Sequence, residues 1–470
     1  MNTASKSTKT LEDIDRNTIF HASTDLHAHA HGTSGGPRII DTGSGAHIRD
    51  SEGVELLDAF AGLYCVNVGY GRTEIADAIH EQAKKLAYYH TYVGHSNEPL
   101  IRLSGRLIDM APQGMSKVYY GMSGSDANET QIKIVWYYNN VLGRKNKKKI
   151  ISRKRGYHGS GLITGSMTGL PLFHDHFDLP FEIIKHTTTP HYYREAQPGM
   201  SEQEFSTYCA EELEKLILAE DPDTVAAFIA EPVMGTGGLI PPPEGYWAAI
   251  QPVLDKYDVL LIADEVVTAF GRIGADFGST VYDIKPDLIT VAKGLTSAYL
   301  PLSGVIVGDK VWSVLEKGSQ DFGPIGHGWT YSGHALGAAA ANANLDIIEN
   351  EGIVANVQNV GSELQKKMHA AFDDHPLVGE VRGVGMLCAI EFAPGKTATD
   401  RFDPALKVGA RVSGACLERS MIARAMPHGD ILGFAPPLII NSETVDEIVG
   451  IASDAINSVT DELTREGALK

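Results

Sequence analysis

Three stretches of nearly unbroken apolar residues punctuate the chain: T-V-A-A-F-I-A-E-P at 224–232, V-L-L-I-A-D-E at 259–265 and D-L-I-T-V-A-K-G at 287–294. Such runs predict strands covered on both faces, as in a parallel sheet held between helices. A-D-A-I-H-E-Q-A-K-K-L (76–86) reads as an amphipathic helix, and Y-W-A-A-I-Q-P-V-L-D-K-Y (246–257) as another. A-N-E-T-Q-I-K-I-V-W-Y-Y-N-N-V-L-G (127–143) ends on a glycine suited to close a helix. K-V-Y-Y-G (117–121) and K-K-I-I-S-R (148–153) add two strands. This alternation predicts an α/β fold. After residue 335 the pattern changes to an Ala-rich helix (335–349), a strand over R-G-V-G-M-L-C-A-I-E-F (382–392) and a terminal helix (443–464). The expected organisation is a large α/β domain over 75–335 and a smaller α+β domain over 336–470, joined by the N-terminal segment 1–74. The first 50 residues are expected to be irregular apart from short strands near R-I-I-D and A-H-I-R-D.

Composition narrows the function. With 40 basic and 59 acidic residues in 470, the net charge is −19, which offers no electrostatic footprint for nucleic acid. The one basic cluster, G-R-K-N-K-K-K-I-I-S-R-K-R (143–155), reads as a solvated helix end before a strand. Cys65, Cys209, Cys388 and Cys416 lie far apart with no C-x-x-C pair, which fits a reduced cytoplasmic protein rather than a disulfide framework or zinc site. The polar start, M-N-T-A-S-K-S-T-K-T, lacks the apolar core of a signal peptide, and no apolar run is long enough to span a membrane. H-A-H-A-H (27–31) has a metal-binding look, but no neighbouring carboxylate or cysteine cluster supports it, so a flexible loop is expected. H-D-H (174–176) is read the same way.

The chemistry gathers where the apolar runs stop. Each ends in a charged residue, Glu231, Asp264 or Lys293. Ligands of open α/β sheets bind at the carboxyl ends of the strands. One charge there only reaches for water, but three unlike charges together make a site. Y-Y-G-M-S-G-S-D-A-N-E-T (119–130) adds a strand, a Gly/Ser turn and a helix start. The free amides and dipole of that helix end can seat a phosphate on Ser123, Gly124 and Ser125. The stretch matches neither the Walker A nor the dinucleotide fingerprint. A phosphate seat, a carboxylate and a lysine fit pyridoxal phosphate: Asp264 would face the ring nitrogen and Lys293 would condense with the aldehyde as a Schiff base.

These residues resemble the class III aminotransferases, fold type I pyridoxal-phosphate enzymes. The matching motifs run along nearly the whole chain: G-L-Y-C-V-N-V-G-Y-G-R (62–72), S-G-S-D-A-N-E-T (123–130), G-Y-H-G (156–159), A-E-P-V-M-G-T-G-G (230–238), A-D-E-V-V-T-A-F-G-R (263–272), A-K-G-L-T-S (292–297), H-G-W-T-Y-S-G-H (327–334) and A-P-P-L (435–438). The resemblance implies a mostly parallel, seven-stranded type of sheet. It implies Lys293 as the Schiff-base lysine and Asp264 as the pyridinium partner. Val266 would lie under the ring, Tyr157 over it with His158 beside it, and Glu231 at the ring's edge. Thr330 would reach the phosphate of a neighbouring subunit, which implies a homodimer or tetramer with sites at the interface. Two positions depart from the family pattern, Asp126 in place of Glu and Ala269 in place of Gly.

Within the family, the 62–72 and 327–334 motifs look most like the ω-amine:pyruvate branch. Tyr64, Tyr92, Trp329 and Tyr157 are the pocket aromatics this implies, and Arg424 is the arginine that would pair a substrate carboxylate. The expected reaction moves an amino group from a primary amine or ω-amino acid to pyruvate. The alternatives are a decarboxylase, racemase or aminomutase on the same fold, a 4-aminobutyrate or diamine transaminase using 2-oxoglutarate, and a non-catalytic relative.

Overall fold

The three apolar runs lie side by side at the centre of one sheet. The computed structural model describes residues 10–33 and 36–469; most of the polar start read above falls outside that range. Seven strands form the sheet: β1 (Met115–Gly121), β2 (Lys149–Arg153), β3 (Ile184–Thr187), β4 (Val225–Ala230), β5 (Leu260–Asp264), β6 (Leu288–Val291) and β7 (Ser303–Gly308). Their order is β1-β7-β6-β5-β4-β2-β3, and β7 alone runs against its neighbours. Every residue of β4, β5 and β6 is buried, which is why these strands show no alternation. Helices Gly124–Val141, Tyr246–Lys256 and Asp309–Phe322 follow β1, β4 and β7. Among the described residues no helix is long and apolar enough to cross a membrane.

Two smaller sheets flank this one. Strands Ile40–Ser44, His47–Asp50 and Glu55–Asp58 form a meander, and Met421–Ile422 adds in parallel, Met421 opposite Leu57. The single strand expected over 382–392 is a hairpin, Val378–Val384 paired with Leu387–Phe392. Gly385, at φ +56°, turns the chain between Val384 and Leu387, and its neighbours' apolarity hides the turn in the sequence. The N-terminal segment is also less irregular than expected. Thr10 caps a helix, Leu11–Thr18, and Asp25 caps a second, Leu26–Ala30, which contains most of H-A-H-A-H.

A buried charge network fastens the hairpin to the region after β3. Glu391 accepts from Arg382 Nη1 at 2.7 Å and from Arg194 Nε at 2.5 Å. His191 bridges Glu380 and Arg155, at 2.9 Å to each. Burial alone would raise the Glu391 pKa, but Arg382, His191 and Arg194 outweigh it and hold it at about 2, against an ordinary 4.5. Because the folded value lies below the ordinary one, this stabilisation is complete above about pH 4.5 and is lost as the pH falls through that value toward 2, about 3 kcal/mol in all. Glu391→Gln is expected to cost about 3–5 kcal/mol at neutral pH, since it strands buried cations. Its melting temperature should also fall less than that of the wild type between pH 6 and 3.5. Parallel melting curves would contradict the assignment.

Candidate active site

Glu231, Asp264 and Lys293 come together at the carboxyl edges of β4, β5 and β6. Ala230 pairs with Ala263 and Asp264 with Thr290, so the register alone brings the first two carboxylates to adjacent strand ends. Lys293 begins a short 3₁₀ turn two residues past β6, with φ +45°. Left-handed backbone in a lysine is strained, and such strain concentrates at functional sites. The turn after β1 supplies the fourth element. Ser123 and Asp126 cap helix Gly124–Val141 reciprocally, which leaves the Gly124 and Ser125 amides, with no acceptor inside the helix, facing outward.

A cavity of about 360 Å³ opens here. Nine of the ten residues expected to hold or face the cofactor line it, Ser123, Gly124, Ser125, Tyr157, His158, Glu231, Asp264, Val266 and Lys293, with Asn128 added by the structure, while Thr330 does not. Gly124 is needed for close approach, since a Cβ there would stand 3.0 Å from Val266 Cγ2. Asp264 is buried and collects three donors: Asn128 Nδ2 at 2.8 Å and His158 Nδ1 at 2.9 Å to Oδ2, and the Val266 amide at 3.2 Å to Oδ1. A carboxylate only accepts, so His158 Nδ1 carries the proton, and its buried Nε2 has no partner among the described residues. Glu231 is also buried, and burial raises its pKa, while His158 and Arg153 pull it down. Its oxygens accept from the Tyr157 amide at 3.1 Å and the Gly235 amide at 2.6 Å.

Asn128, which the sequence reading quoted without a role, belongs to a chain of its own. Gln131 donates to Thr290 Oγ1 at 2.5 Å, Thr290 Oγ1 to Asn128 Oδ1 at 2.6 Å, and Asn128 to Asp264. Its signal was its spacing, one helical turn past Gly124 and thus on the same face. The Asp126 departure has a local account: its carboxylate accepts from the Met122 and Ser123 amides and from Ser303 Oγ at 3.0 Å, which ties the turn to β7. Ala269 is buried in the main core.

Of the expected pocket aromatics, Tyr157 lines the cavity and Tyr64 does not. Tyr64 is buried at φ +64°, with Lys293 Nζ 5.8 Å from its ring centre. Burial pushes its phenol up, with Arg424 acting in the opposite direction. Arg424 does not line the cavity; its guanidinium lies over Phe60, 5.5 Å from the ring centre. Tyr92, Trp329 and Thr330 do not line this chain's cavity either. Trp329 is held away by hydrogen bonds from its indole to Thr130 Oγ1 and from its amide to Tyr119 Oη, both 3.1 Å, while Tyr92 and Thr330 are exposed.

The profile of the class-III aminotransferases matches residues 29–456. The chain belongs to that family. A diaminobutyrate–2-oxoglutarate transaminase of Halomonas elongata is 66% identical, over 98% of this chain and 99% of its own. Among solved structures, a transaminase from ancestral reconstruction superposes with a TM-score of 0.95 at 71% identity, covering 96% of this chain and 99% of its own. An omega transaminase of Pseudomonas jessenii in complex with PMP gives 0.94 at 41% identity, covering 97% and 99%. This aminotransferase therefore has the fold type I architecture and uses pyridoxal phosphate. The residues present fit that cofactor: outward amides at a helix start for a phosphate and, among the described residues, a buried carboxylate with no lysine or arginine paired to it and a single lysine at the cavity wall.

Proposed function

We propose that this aminotransferase moves the amino group of a primary amine or ω-amino acid to pyruvate by a ping-pong route. Ser123, Gly124 and Ser125 hold the phosphate, and Val266 and Tyr157 flank the ring. Asp264 keeps the ring nitrogen protonated, positioned by Asn128 and His158, with Glu231 at the ring's edge. The bound cofactor supplies an electron sink for the substrate carbon. Lys293 would anchor the cofactor, and its Nζ, once freed, would take the proton from the amine-bearing carbon and deliver it to the carbon on the far side of the nitrogen.

One observation carries the choice of substrate. Arg424, half-buried beside Tyr64, has no carboxylate partner among the described residues. Arg272, also near Tyr64, is occupied by Pro436 and Asn67. A lone uncommitted guanidinium suits a keto acid with one carboxylate, and its aromatic neighbours Phe60 and Tyr64 suit an apolar amine. Arg424→Ala is expected to lower kcat/KM for pyruvate about 10–100-fold, the worth of one charge-assisted contact, while an apolar amine changes less than about threefold. Equal losses for both would refute the role. The name of the Halomonas relative favours a second reading, a diamine-type donor with 2-oxoglutarate. The deciding experiment bleaches the bound cofactor with excess amine and then adds one keto acid at a time. Colour returning with pyruvate and alanine formation supports the first reading; recovery only with 2-oxoglutarate supports the second.

The exposed Tyr92, Thr330 and Tyr331 support a homodimer in which Thr330 and the aromatics Tyr92 and Trp329 complete the partner's site. The four free cysteines fit a reducing, cytoplasmic setting.

A further inference from the structure

The first two helices bring a carboxylate to the histidine run, which the sequence alone does not show. Asp15, on helix Leu11–Thr18, meets His21 Nε2 at 2.9 Å and His29 Nε2 at 3.2 Å, both through Oδ1. The three ligand atoms lie within 4.8 Å of one another, and the two imidazoles meet edge to face at 4.7 Å. Within H-A-H-A-H the helix separates the histidines. His27 and His31 stack on one side at 4.2 Å, and His29 turns inward, 8% exposed.

We propose that Asp15, His21 and His29, none of which lines the catalytic cavity, form a zinc site. Hydrogen bonding alone does not satisfy the cluster. His29 Nε2 is buried, yet its approach to Asp15 makes no hydrogen bond, and it has no other partner among the described residues. Among the described residues, Asp15 has no lysine or arginine ion-pair partner, and its carboxylate faces only the two imidazoles. Zinc takes imidazole nitrogen and carboxylate oxygen at about 2.0–2.2 Å in tetrahedral array, which sets donors roughly 3.3 Å apart. The observed 2.9 and 3.2 Å need little adjustment. The His21 side chain is 35% exposed, which leaves a path for entry and a fourth position for water. Three protein ligands with one open position fit zinc, and the absence of thiolate disfavours softer ions.

The test uses the cofactor-loaded enzyme, stripped with a chelator and titrated with zinc chloride by calorimetry, with retained metal counted after dialysis. One zinc per chain is expected. Asp15→Asn and His29→Gln should each weaken it by about a hundredfold or more, beyond the loss typical of outer-shell partners, with transaminase turnover unchanged. The His27→Gln/His31→Gln double variant should keep full affinity. Equal binding by all variants, or by none, overturns the proposal. Loss in the double variant with retention in Asp15→Asn would assign the metal to the surface pair and also overturns it.

Discussion

Lys293→Ala is expected to lower turnover by about 10⁴-fold or more. Lys293 is the only lysine lining the cavity among the described residues, and its ammonium group stands beside Tyr64 at the end of β6. On the proposed roles, the substitution removes the anchor for the cofactor and the base for the proton in one step. Alanine at φ +45° inherits the same backbone strain, so the folded state should be little changed. Two readouts separate this from simple misfolding. Borohydride should fix the cofactor covalently to the wild type and not to the variant. A small added amine should restore part of the proton transfer without restoring the attachment. Turnover within tenfold of wild type would remove Lys293 from both roles.

Asp264→Asn is expected to lower kcat by about 10²–10³-fold, the range seen when one charge-stabilising group is removed. An amide of the same shape meets the wrong partners: Asn128 Nδ2 and His158 Nδ1 both donate toward Oδ2. Either the new amide points its oxygen at them and offers nothing positive-seeking to the ring, or it turns its NH₂ into two donors at a cost of about 1–3 kcal/mol. Both half-reactions should slow together, since the ring's protonation serves each. Full kcat with the cofactor bound would contradict the role.

The site's outline was legible because apolar runs ending in charge are rare and point to strand ends. Glu231, Asp264 and Lys293 were therefore found from spacing and composition. What joins them was not legible. The Gln131–Thr290–Asn128–Asp264 chain depends on β5 lying next to β6 in register, a fact about pairing rather than about any one segment. The strand expected over 382–392 is the second half of a hairpin with the turn inside it, hidden because Gly385 and Met386 turn within an apolar run. The Asp15 carboxylate lies twelve residues before H-A-H-A-H, and only the packing of two short helices brings them together. Tyr92 and Trp329 follow the family motifs in sequence but point away from their own chain's cavity, which no single-chain pattern reveals.

The sheet order β1-β7-β6-β5-β4-β2-β3 also dictates when the site can exist during synthesis. β1 delivers the turn proposed to hold the phosphate, yet its only neighbour in the sheet is β7, made some 180 residues later on the chain. A ribosome that has released β1 through β6 has exposed an edge with no place for β1 to dock. The turn at Ser123 and the lysine at 293 thus fall into line only after residue 308 has emerged. Until then the nascent chain presents an unpaired strand edge at β6, the kind of intermediate that chaperones shelter. Cofactor capture then follows the pairing of β7 with β1 rather than nucleating the fold.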